Sequence, residues 1–145
     1  MTRQLTNSTK MQRVSVAIAA GSIATVSDSI DLIRAQGVAF MIEMETIVAT
    51  GVVTIKAEVS DNDSDWDDVL GSEIVLGPTD SDGVAVVELG NVKQRYARVT
   101  VTPTVADATL DSIMAIGTAP GQSPIANEAS VVDNVYIGSA VIGTP

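Results

Sequence analysis

Five aspartates stand within eight positions, Asp61, Asp63, Asp65, Asp67 and Asp68, and form the densest set of potential ligand groups in the chain. Alternating aspartates open a calcium loop of the EF-hand type. That loop wants glycine at its sixth position and glutamate at its twelfth. Counted from Asp61 those positions hold Trp66 and Ser72; counted from Asp63 they hold Asp68 and Ile74. Both registers fail. The segment reads as a solvated hairpin loop, with adventitious Ca²⁺ as the other reading, and no metal site is assigned. Trp66 is the only tryptophan. It either stacks on a sugar or caps one end of a core with its N–H hydrogen-bonded, and the core role is favoured. Tyr96 opens a strand after Leu89-Gly90-Asn91, the setting of the corner tyrosines whose hydroxyl ties a β-sandwich together. Arg95 and Arg98 fall on opposite faces of that strand, with Arg98 facing solvent or an interface.

Catalytic chemistry finds little material. The 145 residues contain no histidine and no cysteine. The commonest general base, the commonest zinc ligand, thiolate nucleophiles and disulfides are therefore absent. There is no glycine-rich phosphate loop. A carboxylate pair for glycoside hydrolysis remains open on composition, but four aromatic residues (two Tyr, one Trp, one Phe) make a poor sugar-stacking groove. No catalytic residue and no cofactor is assigned. Eight basic residues against eighteen acidic ones give a net charge of −10. Binding to nucleic-acid phosphates needs the opposite balance.

The elements that must position these residues are strands. Val, Ile and Thr make up about a third of the chain, which favours β structure, and no stretch repeats apolar residues at helical spacing over three turns. No apolar run reaches the roughly eighteen residues of a membrane span. Arg3, Lys10 and Arg13 followed by Val14 to Gly21 loosely imitate a secretion signal. A strand with alternating Val14, Val16 and Ile18 is the preferred reading.

Along the chain, residues 1–13 are polar and basic and form an N-terminal arm. Residues 14–116 form the domain. The segment 22–33 is either a strand or a short helix capped by Asp28, with the strand preferred. Residues 38–48 alternate Val38, Phe40, Ile42, Met44 and Thr46 against Ala39, Met41, Glu43 and Glu45. Residues 52–59 alternate Val53, Ile55, Ala57 and Val59 against Val52, Thr54, Lys56 and Glu58. With Ala49-Thr50-Gly51 between them, the two are expected to form an antiparallel hairpin, with Glu43 or Glu45 across from Lys56. Further strands are expected at 73–76, 84–89, 95–102 and 108–116. The sum is an all-β, antiparallel, jelly-roll-like sandwich of about eight strands. Residues 117–145 form a C-terminal tail. It is poor in charge yet keeps Val131, Val132, Val135, Tyr136, Ile137, Val141 and Ile142, so it is expected to pack on its own domain or, preferably, on a neighbouring subunit.

Three stretches together resemble small structural proteins of tailed bacteriophages, of the head decoration or minor capsid kind. They are Ser27-Asp28-Ser29-Ile30-Asp31 leading to Gly37 and Phe40; Glu58 to Val69, with its S-D-N-D-S-D-W-D-D-V run; and Lys93-Gln94-Arg95-Tyr96-Ala97-Arg98-Val99. The resemblance covers about residues 13–117. It implies a non-enzymatic virion protein, made in the host cytoplasm and seated on the outer capsid face, often as a homotrimer, with the major capsid protein as partner and neither nucleic acid nor membrane. Within that reading Arg3, Lys10 and Arg13 pair with acidic capsid groups, and Val131 to Ile142 add a strand to a neighbour's edge. Two other classes remain: a carbohydrate- or receptor-binding module on a head fibre or tail, and a cell-surface structural subunit, which would need secretion.

Overall fold

The computed structural model describes residues 9–33, 35–118, 131–137 and 141–145. Among these residues twelve strands run in chain order: β1 (Lys10–Ser15), β2 (Ile18–Gly21), β3 (Thr25–Val26), β4 (Ile30–Asp31), β5 (Gly37–Ile47), β6 (Val52–Ser60), β7 (Asp67–Asp68), β8 (Ile74–Leu76), β9 (Val84–Leu89), β10 (Tyr96–Thr104), β11 (Ala108–Thr118) and β12 (Val131–Ile137). They form two six-stranded sheets. The first is ordered β1-β11-β5-β9-β12 with β2 also on β11; the second is ordered β3-β10-β6-β7, with β4 also on β10 and β8 also on β6.

The period-two patterns decide which faces meet. Val38, Phe40, Ile42 and Met44 of β5, Ala85, Val87 and Leu89 of β9, and Leu110, Ile113 and Ala115 of β11 form the inner face of the first sheet, all buried. Val53, Ile55, Ala57 and Val59 of β6 oppose them with Ala97, Val99 and Val101 of β10. One continuous core results, aliphatic apart from Phe40 and the thioether of Met44. A shift of register between Leu110 and Ser112 explains why the buried positions of β11 change phase there.

The all-β sandwich is as expected, but several details differ. There are more strands than eight, because residues 10–33 supply four short ones in place of two and β7 and β12 are additional. The segment 22–33 contains no helix. Ser27 divides it: its N–H donates to Val99 O at 3.0 Å and its Oγ accepts from Val99 N at 3.1 Å. The strands 38–48 and 52–59 are not a hairpin. β5 pairs with β11 and β9, whereas β6 pairs with β10, β7 and β8 in the other sheet. The link between them crosses from sheet to sheet, with Thr50 at φ 69° and Val48 N–H donating to Asp107 O of the neighbouring turn. Inward-facing alternation looks the same in two hairpin partners and in two strands that face each other across a core.

The termini also depart from expectation. Lys10 to Arg13 belong to β1, antiparallel to β11 from Lys10 opposite Gly117 to Arg13 opposite Met114, so the sheet begins within the expected arm. The tail folds back on its own chain. β12 runs parallel to β9, in contrast to the antiparallel pairing elsewhere among the described residues. Beyond it, Leu70 N–H donates to Val141 O at 2.9 Å and Gly143 N–H donates to Asp68 O at 2.9 Å, with Ile142 bridged to Val69. One terminal segment therefore covers the free edge of β9 in the first sheet and the β7 edge of the second, sites at which unpaired strands would otherwise invite association.

Candidate interaction site

The outer face of the second sheet carries the most connected polar cluster. Alternation turns Lys56 and Glu58 of β6 and Arg98 and Thr100 of β10 outward, and the register sets Glu58 between Arg98 and Asp68. Glu58 is the hub, its side chain only 12% exposed. Oε2 accepts from Arg98 Nε at 2.6 Å and from Thr100 Oγ1 at 3.2 Å. Oε1 lies 3.3 Å from Lys56 Nζ, which also donates to Asp68 Oδ1 at 2.5 Å. Burial pushes the Glu58 carboxyl up, but the hydrogen bonds and charges of Arg98 and Lys56 outweigh it and hold it below the usual glutamate range. Bonding to Asp68 raises Lys56 against its own desolvation.

The acidic loop delivers Trp66 to this cluster. Asn62 organises the loop: its Oδ1 accepts from Ser64 N–H at 2.9 Å and Asp65 N–H at 2.8 Å, and its Nδ2 donates to Asp65 Oδ2 at 2.7 Å. Asp63 takes a left-handed φ of 60°, which an aspartate tolerates. The chain then lays Trp66 beside β10, with the Arg98 guanidinium 4.1 Å from its ring centre. Trp66 is half-buried on the sheet surface instead of capping the core. Arg98 covers one ring face, so a sugar stacking there would have to displace it. Asp61, Asp63, Asp65 and Asp67 point into solvent, and the described residues bring no three acidic groups together in a form that could hold a metal ion.

A second ion pair lies at the same end of the sandwich. Arg95 grips Asp31 with two bonds, Nε to Oδ1 at 3.2 Å and one terminal nitrogen to Oδ2 at 2.9 Å. That bond holds the Asp31 carboxyl below its ordinary range. Arg95 also stands 5.1 Å above the Tyr96 ring.

The other expected contact residues are scattered. Arg3 lies outside the described residues. Lys10 donates through Nζ to Asp31 O at 3.0 Å, and Arg13 is exposed on β1. Val135 and Ile137 pack against the protein's own core. Val131, Val132 and Tyr136 are in β12, but their side chains lie outside the described residues. Val141 and Ile142 are about half exposed. Lys56 pairs with Glu58 and Asp68, while Glu43 accepts from Ser112 Oγ at 2.6 Å. Nothing local in the sequence marks Glu58, Lys56 and Asp68 as one site. The available signal was the outward position of Glu58 and Lys56 on the clearest alternating strand, but which strand lies beside it is set by long-range pairing.

No family model and no curated protein matches the chain. Among solved structures, the crystal structure of PBSX exported protein XepA shares the fold, with a TM-score of 0.54 at 11% identity. The alignment covers 99% of this chain and 50% of that one, so the chain spans half the length of its structural neighbour.

Proposed function

We propose that this protein is a non-enzymatic structural component of a tailed-phage particle, bound to the outer face of the capsid, where it bridges neighbouring capsomers. The major capsid protein is its partner and a homotrimer its assembly. The observation that carries the reading is the convergence of the segments that resemble phage decoration proteins. The tryptophan loop and the R-Y-A-R-V strand are far apart in the chain, yet Trp66 and Arg98 stack and share one face with Glu58, Lys56 and Asp68. The likeness to PBSX exported protein XepA is one of fold and is compatible with this reading. A net charge of −10 suits a surface turned away from packaged DNA. A protein that binds only the assembled lattice stabilises it by mass action, and many copies add avidity.

The test is cryo-electron microscopy of purified particles carrying the protein. Density at symmetric positions on the outer capsid face is expected. Density confined to the tail, or particles free of the protein, would overturn the reading.

A further inference from the structure

The two ends of the sandwich differ in character. One carries the Trp66 loop and most of the described basic groups. The other is built from the connections 16–24, 48–51, 77–83 and 104–107, which hold no lysine or arginine. Hydrogen bonds join two of these connections, Val48 N–H to Asp107 O at 3.2 Å, and tie a third to the end of β5, Asp82 N–H to Glu45 O at 2.6 Å and Met44 N–H to Gly83 O at 2.9 Å. The fourth contains β2, which pairs with β11 from Gly21 opposite Ala108.

This end is apolar where water should favour polar residues. Ile23 is 85% exposed and Val105 80%, and Val16, Ile18 and Val48 are also exposed. Val105 sits at the apex of a γ-turn closed by Ala106 N–H to Thr104 O at 2.9 Å, with φ 71°. That backbone is strained for a β-branched residue, and the exposed side chain gains no burial in return. Between the sheets, directly beside Ile23, a cleft of about 190 Å³ is lined by Ile18, Ile23, Met44, Pro103 and Leu110, among others. Its lining is aliphatic apart from backbone and Thr25. The charged residues of the four connections are Asp80, Asp82 and Asp107, and Glu45 adjoins the lining residue Met44; all are acidic, and Asp80 is engaged by Gly77 N–H at 2.8 Å.

We propose that this end is a docking surface for a protein segment that inserts a bulky apolar side chain into the cleft and flanks it with lysine or arginine. The apolar patch supplies the area, as exposed patches at binding sites do. The acidic rim selects the sign of the partner's charge and excludes acidic surfaces. The site goes beyond the virion reading and lies away from the Trp66 face.

Titration of the ¹⁵N-labelled full chain with a synthetic peptide alternating lysine and leucine tests it by NMR. Saturable shifts are expected at Ile23, Val48, Val105 and Asp107, with at least tenfold weaker binding to the Ile23→Asp protein and none of a glutamate–leucine peptide. Ile23 is exposed, so that variant should fold, and its spectrum away from the site verifies this. Shifts gathered at Asp61 to Asp65, where charge alone would draw a cation, would overturn the proposal, as would no shifts or equal binding of the acidic peptide. Self-association of the chain that Ile23→Asp abolishes would overturn it in favour of a second copy as occupant. Failure of the chain to attach to phage particles would overturn the virion reading only, and the titration would still decide this one.

Discussion

Arg98 and Trp66 are joined across the second sheet, the guanidinium 4.1 Å from the ring centre, and Arg98 reaches Glu58 at 2.6 Å in the same pose. The stack and the ion pair therefore share one side chain. Arg98→Ala removes both and leaves a largely buried carboxylate with only Lys56 and the Thr100 hydroxyl. A loss of about 1–3 kcal/mol in unfolding free energy is expected. Emission of the single tryptophan should move to longer wavelength as its ring becomes hydrated. Arg98→Lys should recover only part, because an ammonium lacks the planar fork. Urea denaturation followed by fluorescence checks this. An unchanged midpoint and spectrum for Arg98→Ala would refute the coupling.

The same cluster sets part of the pH dependence. The folded-state pKa of Glu58 lies below its ordinary value of 4.5. Its stabilising contribution is thus present above that value and is lost as pH falls through the folded pKa. Lys56 is raised above 10.5, so its contribution is present below that value and fades as pH rises through the folded pKa. Urea midpoints for Glu58→Gln should show a weaker acid dependence than wild type, with the share of Asp31 remaining, and those for Lys56→Met a weaker alkaline dependence. Parallel pH profiles for wild type and Glu58→Gln would refute the assignment.

The sequence makes the inner faces legible and the neighbours illegible. Val38 to Met44 and Val53 to Val59 announce their buried sides through alternation, because burial of one face is a property of each strand alone. Which strands pair is decided by contacts far along the chain. This is why β5 and β6 look like a hairpin but sit in opposite sheets, and why Lys56 meets Asp68 in place of Glu43. The tail shows the same limit. Val135 and Ile137 announce burial, but nothing local says whose core receives them. Trp66 carries no sign that Arg98 awaits it.

Because β12 covers β9, the tail has a structural role that can be measured. Gly90 N–H donates to Ile137 O at 2.6 Å, and Ile137 packs against the core. Ile137→Asp should destabilise the domain by about 1–3 kcal/mol. A chain ending at residue 130 should also associate through the bared β9 edge. Sedimentation velocity and thermal melting check both effects. A monomeric, equally stable truncation would show that the edge needs no cover.

Gly37 begins β5 where the backbone is crowded. A Cβ there would lie 2.6 Å from Leu89 O and 3.5 Å from Gly90 Cα, both main-chain atoms with little freedom to retreat. Gly37→Ala is expected to cost about 1–3 kcal/mol through displacement of β9. Gly77→Ala, where nothing lies within 4 Å, should leave the melting temperature almost unchanged. Equal stability of the two variants would contradict the close approach.

Val105 allows stability and binding to be separated. Its φ of 71° strains a β-branched residue by about 1–3 kcal/mol, and its side chain is too exposed to return much of that by burial. Glycine relieves the strain but adds about 0.5–1 kcal/mol of backbone entropy to the unfolded chain. Val105→Gly should therefore stabilise the protein by about 1 kcal/mol, a rise of a few degrees in Tm by calorimetry. The same change removes an apolar contact from the proposed docking end, so affinity for the lysine–leucine peptide should fall while Tm rises. Opposite movement of the two quantities is what a residue kept for contact instead of folding would produce. A lower Tm would show that the turn is relaxed as built and that Val105 contributes to the fold.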